Sequence, residues 1–170
     1  MSKEISRLWA MCWSFLRPWY VLILFATFFS TIPLHAETVT WISDTSGDWN
    51  TVANWSPNKV PTAADDVVID RPTAAITVTI SSGDQAAKSV SCNESLRITA
   101  GSLTLTQQAS QVSGSFTISG GARLIVSGAT AKFTATGAAS INNGRFFVRN
   151  GAVVSLPGAT SYDTRGLGPT

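Results

Sequence analysis

Short triplets of alternating character, divided by Gly and Ser, recur through the second half of the chain. They are Leu96-Arg97-Ile98, Leu103-Thr104-Leu105, Phe116-Thr117-Ile118, Leu124-Ile125-Val126, Phe133-Thr134-Ala135, Phe146-Phe147-Val148 and Val153-Val154-Ser155. In each, the outer residues face one side of a strand and the middle residue faces the other. Sorted into two rows, the triplets are evenly spaced. Those starting at 96, 116, 133 and 153 step by 20, 17 and 20, and those starting at 103, 124 and 146 step by 21 and 22. A parallel β-solenoid with about 20 residues and two short strands per coil produces this spacing. Its inward positions are then Leu96, Ile98, Phe116, Ile118, Phe133, Leu103, Leu105, Leu124, Val126, Phe146 and Val148. Ala100-Gly101, Gly120-Gly121, Ser127-Gly128, Asn142-Asn143-Gly144 and Asn150-Gly151 lie between triplets and supply residues that tolerate positive φ. A competing reading makes Asn143-Gly144 and Asn150-Gly151 hairpin turns of an antiparallel sandwich.

The outward middle positions grow more apolar along the row, from Arg97, Thr104 and Thr117 to Ile125, Phe147 and Val154. With no recognisable cap after the last triplet, the C-terminal coils are expected to self-associate or to continue into a longer chain.

The region before the triplets is different. Residues 37–71 hold Trp41, Trp49 and Trp55, whereas residues 72–170 hold no tryptophan. A first coil exposes backbone and an open apolar end, and three tryptophans offer a large apolar area to cover them. The segment is therefore expected to form an N-terminal cap. The alternative is a sugar-stacking platform using Trp49 or Trp55. Written out, the segment reads G-x-W-x4-N-W from Gly47 to Trp55, then V-P-x3-D-x-V-x-I from Val60 to Ile69. This constellation resembles the start of large exported bacterial β-helix proteins, the autotransporter-passenger and adhesin-like surface proteins. The resemblance covers about Trp41 to Ile69 and, more loosely, the coils. It implies a β-helix and a cell-surface setting, and it transfers no catalytic residue, because such helices carry adhesins, polysaccharide-acting enzymes and inert stalks alike. Relatives of that kind are longer, so the resemblance also implies a truncated solenoid.

Residues 1–36 read as a secretory signal peptide, expected to be helical. Basic Lys3, Arg7 and Arg17 precede the run Val21 to Ile32, and small Ala36 suits a cleavage site. Twelve apolar or small residues suit a signal core better than a membrane span of about 20. With Trp9, Trp13, Trp19 and Tyr20 in reach, an uncleaved anchor is the alternative. The expected location is extracellular, cell-surface or periplasmic. Without the leader, the +2 formal charge of the 170-residue chain disappears, leaving nine basic and nine acidic residues. No dense basic stripe stands out, which argues against a nucleic-acid partner.

The leader also contains Cys12 and His35, the only histidine. The remaining part then has one cysteine, Cys92, expected to be a small buried apolar residue, and no Ser-His, Cys-His or His-containing zinc chemistry. No phosphate loop or dinucleotide fingerprint occurs. Asp65 and Asp66 are adjacent and point to opposite faces of an extended segment, one capping a turn and the other solvated. Asp44, Asp48 and Asn50 offer oxygen ligands in a turn without calcium-loop spacing. Neither catalytic residues nor a metal site nor a cofactor is expected. The sequence thus predicts an exported non-enzymatic β-helix segment serving as a structural or adhesin-like module, or else a carbohydrate-binding or polysaccharide-acting β-helix. Surface polysaccharide and self-association are the candidate partners.

Overall fold

A computed structural model describes residues 36–163. The leader expectation falls on residues outside these. The described residues are all-β, with 17 strands and one 3-10 turn at Val52–Asn54. The first coil holds β1 (Thr38–Trp41), β2 (Gly47–Asp48) and the short return strand β3 (Trp55–Ser56). The second holds β4 (Asp66–Ile69), β5 (Thr77–Ile80) and β6 (Asp84–Ala87), and the third β7 (Ser89–Cys92), β8 (Ser95–Ile98) and β9 (Ser102–Leu105). The fourth holds β10 (Ala109–Val112), β11 (Phe116–Ser119) and β12 (Arg123–Ser127). The fifth holds β13 (Lys132–Ala135), β14 (Ala139–Asn142) and β15 (Arg145–Arg149), and the last β16 (Val153–Ser155) and β17 (Ala159–Asp163).

Equivalent strands of successive coils pair in parallel and build three sheets, a β-solenoid of about five turns. Sheet A runs β3-β1-β4-β7-β10-β13-β16, sheet B runs β2-β5-β8-β11-β14-β17, and sheet C runs β6-β9-β12-β15. Only β3 is antiparallel, pairing with β1 so that Trp41 lies opposite Trp55. Each coil adds a layer of about 4.8 Å. The sandwich alternative is overturned. Asn143 and Asn150, at φ 56°, turn corners between parallel strands of different sheets instead of closing hairpins.

Two features differ from the sequence expectation. Each full coil has three strands, because Gln85-Ala86-Ala87, Ala109-Ser110-Gln111 and Ala139-Ser140-Ile141 also form rungs. Their small and polar residues give too weak a local alternation to be seen as strands. The row starting at 96, 116, 133 and 153 therefore mixes two faces, since β8 and β11 belong to sheet B whereas β13 and β16 belong to sheet A. The row starting at 103, 124 and 146 is sheet C throughout. After the first coil, coil length also varies, from 18 residues between Asp84 and Ser102 to 23 between Asp66 and Ser89. Phe133 accordingly stacks on Val154, and Lys132 on Val153. Val154 points inward and Val153 outward, the reverse of the expectation, because register follows the ladder.

The inward rows make one continuous core. Leu96, Ile98, Leu103, Leu105, Phe116, Ile118, Leu124, Val126 and Phe133 are all buried, as expected. The Phe116 and Phe133 rings sit 5.0 Å apart and join sheets B and A through the interior. Full burial of such a side chain stabilises by about 1.5–3 kcal/mol. Phe146 and Val148 keep their inward register, but Phe146 is only partly buried and Val148 is 45% exposed. They lie at the last described coils, where Tyr162, also at an inward position beside Ile141, is 68% exposed.

The parallel stack starts inside the Trp-rich segment, since β1 and β4 already pair in parallel. Trp41, Trp49 and Trp55 close its N-terminal end, each fully buried. Trp55 stands edge-on to both others, at centroid distances of 5.0 Å to Trp41 and 4.9 Å to Trp49. It donates Nε1–H to the Trp49 carbonyl at 2.7 Å, and Trp41 donates to the Ser43 carbonyl at 2.9 Å.

Candidate functional site

A sugar platform needs an exposed aromatic face. Trp49 and Trp55 offer none, because both rings are covered by the first coils and by each other. A pyranose could stack on them only after the cap opened. The sugar-stacking expectation for these two residues is therefore corrected: their place in the fold is the cap.

The acidic residues are likewise dispersed into local bonds. Asp65 is 2% exposed and accepts hydrogen bonds from Thr62 N at 2.8 Å, Thr62 Oγ1 at 2.7 Å and Lys59 Nζ at 3.0 Å. It caps the turn that leads into β4. Asp66 points the other way and accepts from Lys88 Nζ at 2.9 Å and Ser89 Oγ at 2.5 Å. It is thus ion-paired, where the sequence suggested a simply solvated group. Asp44 pairs with Arg71, while Asp48 accepts from Asn50 N at 2.8 Å and Ser81 Oγ at 2.5 Å. These oxygens do not converge, and among the described residues no group of three or more His, Cys, Asp or Glu could hold a metal ion. Cys92 is a buried free thiol that burial pushes up to about 12, so it is held as the neutral SH expected of a core residue.

Asp65 makes the fold pH-dependent. Burial opposes its ionisation, but the Thr62 and Lys59 hydrogen bonds outweigh burial and lower its pKa below the ordinary 3.8. The stabilisation is therefore complete above that ordinary value and is lost as pH falls through the lower folded value. We expect Asp65→Ala to cost about 1–3 kcal/mol at neutral pH. Urea unfolding of wild type and variant at neutral pH and in acid, below the ordinary carboxylate value, checks this, with the gap narrowing in acid. A gap of equal size at both would refute the linkage.

What remains for function is the outer surface. Sheet B presents hydroxyls around Arg97. Thr77, Ser95, Ser115 and Thr117 line a shallow depression with its exposed guanidinium, and Ser95 and Ser115 share a hydrogen bond of 2.8 Å. Sheet C presents a different surface. Arg123 stacks beside Arg145, Ile125 beside Phe147 and Ser127 beside Arg149. Arg149 sits 5.3 Å over the Phe147 ring. Arg123 reaches back two coils to Asp84 at 3.1 Å. Arg145 and Arg149 have no acidic partner among the described residues. Charge is divided along the stack: between residues 95 and 162 the chain carries Arg97, Arg123, Lys132, Arg145 and Arg149 and no acid. Sequence reasoning singled out Phe147 but missed the two flanking arginines. The signal was present in Arg145-Phe146-Phe147-Val148-Arg149, where strand alternation places residues 145, 147 and 149 on one face.

Compared with known proteins, no curated protein and no solved structure gives a significant match. A family model, described as Domain of unknown function (DUF8693), matches residues 40–150, from the first coil to the end of β15. That match spans the Trp cap and the coils with both outer faces described above, and covers more than half of the 170 residues, so this chain belongs to the DUF8693 family.

Proposed function

We propose that this chain is an exported, non-enzymatic β-helix segment that serves as a cell-surface structural or adhesin-like module. The observation that carries this reading is the uninterrupted parallel stack, in which inward positions are used for coil-on-coil packing and outward positions form regular ladders. Such a stack is a rod, and rods hold other surfaces at a distance or present repeated contacts along their length. The signal-type leader and the resemblance of the Trp-rich segment to autotransporter-passenger and adhesin-like proteins support the cell-surface part of the proposal. The full-length chain with a C-terminal tag, expressed in a Gram-negative host, is expected to lose residues up to about 36 and to be labelled on intact cells by a membrane-impermeant amine reagent. Recovery of an unprocessed, unlabelled cytoplasmic protein would refute export.

A carbohydrate-binding β-helix is the second reading. It is favoured by the hydroxyl-lined depression around Arg97 on sheet B, whose polar groups can exchange hydrogen bonds with sugar hydroxyls.

A further inference from the structure

We infer that the outer face of sheet C in the fourth and fifth coils is a binding surface for an acidic polysaccharide, one whose sugar rings carry carboxylates. The inference goes beyond the carbohydrate-binding reading, which rests on the Arg97 depression of sheet B, by assigning an acidic sugar chain to a second face, and it does not depend on export.

Arg145, Phe147 and Arg149 lie at successive outward positions of β15, about 7 Å apart along the strand. Arg123 and Ile125 extend this into a second row on β12. A polymer lying along the face meets guanidinium, ring and guanidinium in turn. Guanidinium groups take carboxylates through paired N–H donors, and an aromatic face takes the apolar C–H side of a sugar ring. Phe147 is already held under Arg149 at 5.3 Å, which limits the freedom both must give up on binding. Arg123 is neutralised by Asp84, whereas Arg145 and Arg149 lack an acidic partner among the described residues, so their charge is available to a ligand.

The rest of the molecule selects among polyanions. Glu37, Asp44, Asp66, Asp70, Asp84 and Glu94 lie in the first coils, with Asp84 on sheet C itself. A stiff, densely charged nucleic-acid duplex crossing the rod would meet this acidic end. A flexible uronate chain of lower charge density can lie on the basic coils alone.

The test uses the whole chain as purified from the expressing cell, with polygalacturonate, neutral dextran and duplex DNA as probes in titration calorimetry at two salt concentrations. Polygalacturonate is expected to bind, more weakly at high salt, with dextran and DNA at least tenfold weaker. The double variant Arg145→Gln/Arg149→Gln is expected to lose at least tenfold in affinity and most of the salt dependence. Phe147→Ala should lose several-fold and keep the salt dependence. Arg97→Gln and Lys132→Gln, on the other two sheets, should bind as wild type. All five positions face outward, and circular dichroism confirms the fold of each variant. Polygalacturonate binding that survives the double variant, or that is lost equally with Arg97→Gln, overturns the inference. So does tighter binding of DNA. Dextran bound through Arg97 with no uronate binding overturns it while leaving the carbohydrate reading standing. Silence with both polysaccharides overturns both.

Discussion

Replacing Trp55 with alanine is expected to open the N-terminal end of the solenoid at a cost of about 3–5 kcal/mol. Trp55 is the middle ring of the cap, edge-on to Trp41 at 5.0 Å and to Trp49 at 4.9 Å. Its removal leaves two fully buried indoles facing a cavity and leaves the Trp49 carbonyl without its donor at 2.7 Å. Return strand β3, which covers the free edge of β1, is anchored by the same residue. In a stack whose strands pair only with those of neighbouring coils, the damage should remain local at first. Hydrogen exchange should therefore quicken in β1 and β4 while β11 and β14 stay protected, and the urea midpoint should fall. Trp55→Phe keeps part of the packing but loses the N–H donor, so it should lose less than the alanine variant. A loss below about 1 kcal/mol, or protection lost evenly along the stack, would show that the tryptophans do not act as a cap.

The second large effect is expected at Gly137. Gly114, Gly137 and Gly158 stand in one column at the corner between sheets A and B, after β10, β13 and β16. A Cβ at Gly114 would lie 2.3 Å from the Glu94 carbonyl oxygen, one at Gly137 2.2 Å from that of Gly114, and one at Gly158 1.9 Å from that of Gly137. Backbone meets backbone there, so no side chain can rotate out of the way. Gly137→Ala is expected to cost about 3 kcal/mol, the upper end of ordinary overpacking. Gly121 is the control. Its φ is 79°, yet a Cβ would have nothing within 4 Å, so Gly121→Ala carries backbone strain alone, about 1 kcal/mol. Thermal or urea unfolding of the pair decides the matter. If Gly137→Ala is no worse than Gly121→Ala, the corner is looser than its geometry implies.

Both variants bear on function, because a surface built on ladders depends on register. Arg145 and Arg149 share a face with Arg123 only while β15 stays paired to β12 residue for residue. A one-residue slip would send Phe147 inward and both neighbouring arginines with it to the core side.

The division between what was legible in the chain and what was not follows from the range of the forces involved. Period-2 alternation is a property of a few neighbouring residues, so strands such as Leu103–Leu105, Phe116–Ile118 and Leu124–Val126 could be read directly, as could the parallel stacking of the row at 103, 124 and 146. The burial of the three tryptophans followed from their apolar area. The third strand of each coil did not show. Gln85-Ala86-Ala87 and Ala139-Ser140-Ile141 have little strand preference of their own and are held in place by the rungs above and below. After the first coil, coil length varies from 18 to 23 residues, so a fixed period assigns Phe133 and Val153 to the wrong sheet and reverses Val153 and Val154. The candidate surface divides in the same way. Its charged and aromatic residues are visible as Arg145-Phe146-Phe147-Val148-Arg149, but their meeting with Arg123 and Ile125 exists only through the ladder. Local alternation tells which way a side chain points, and only the packed stack, where every rung constrains the next, tells what it points beside.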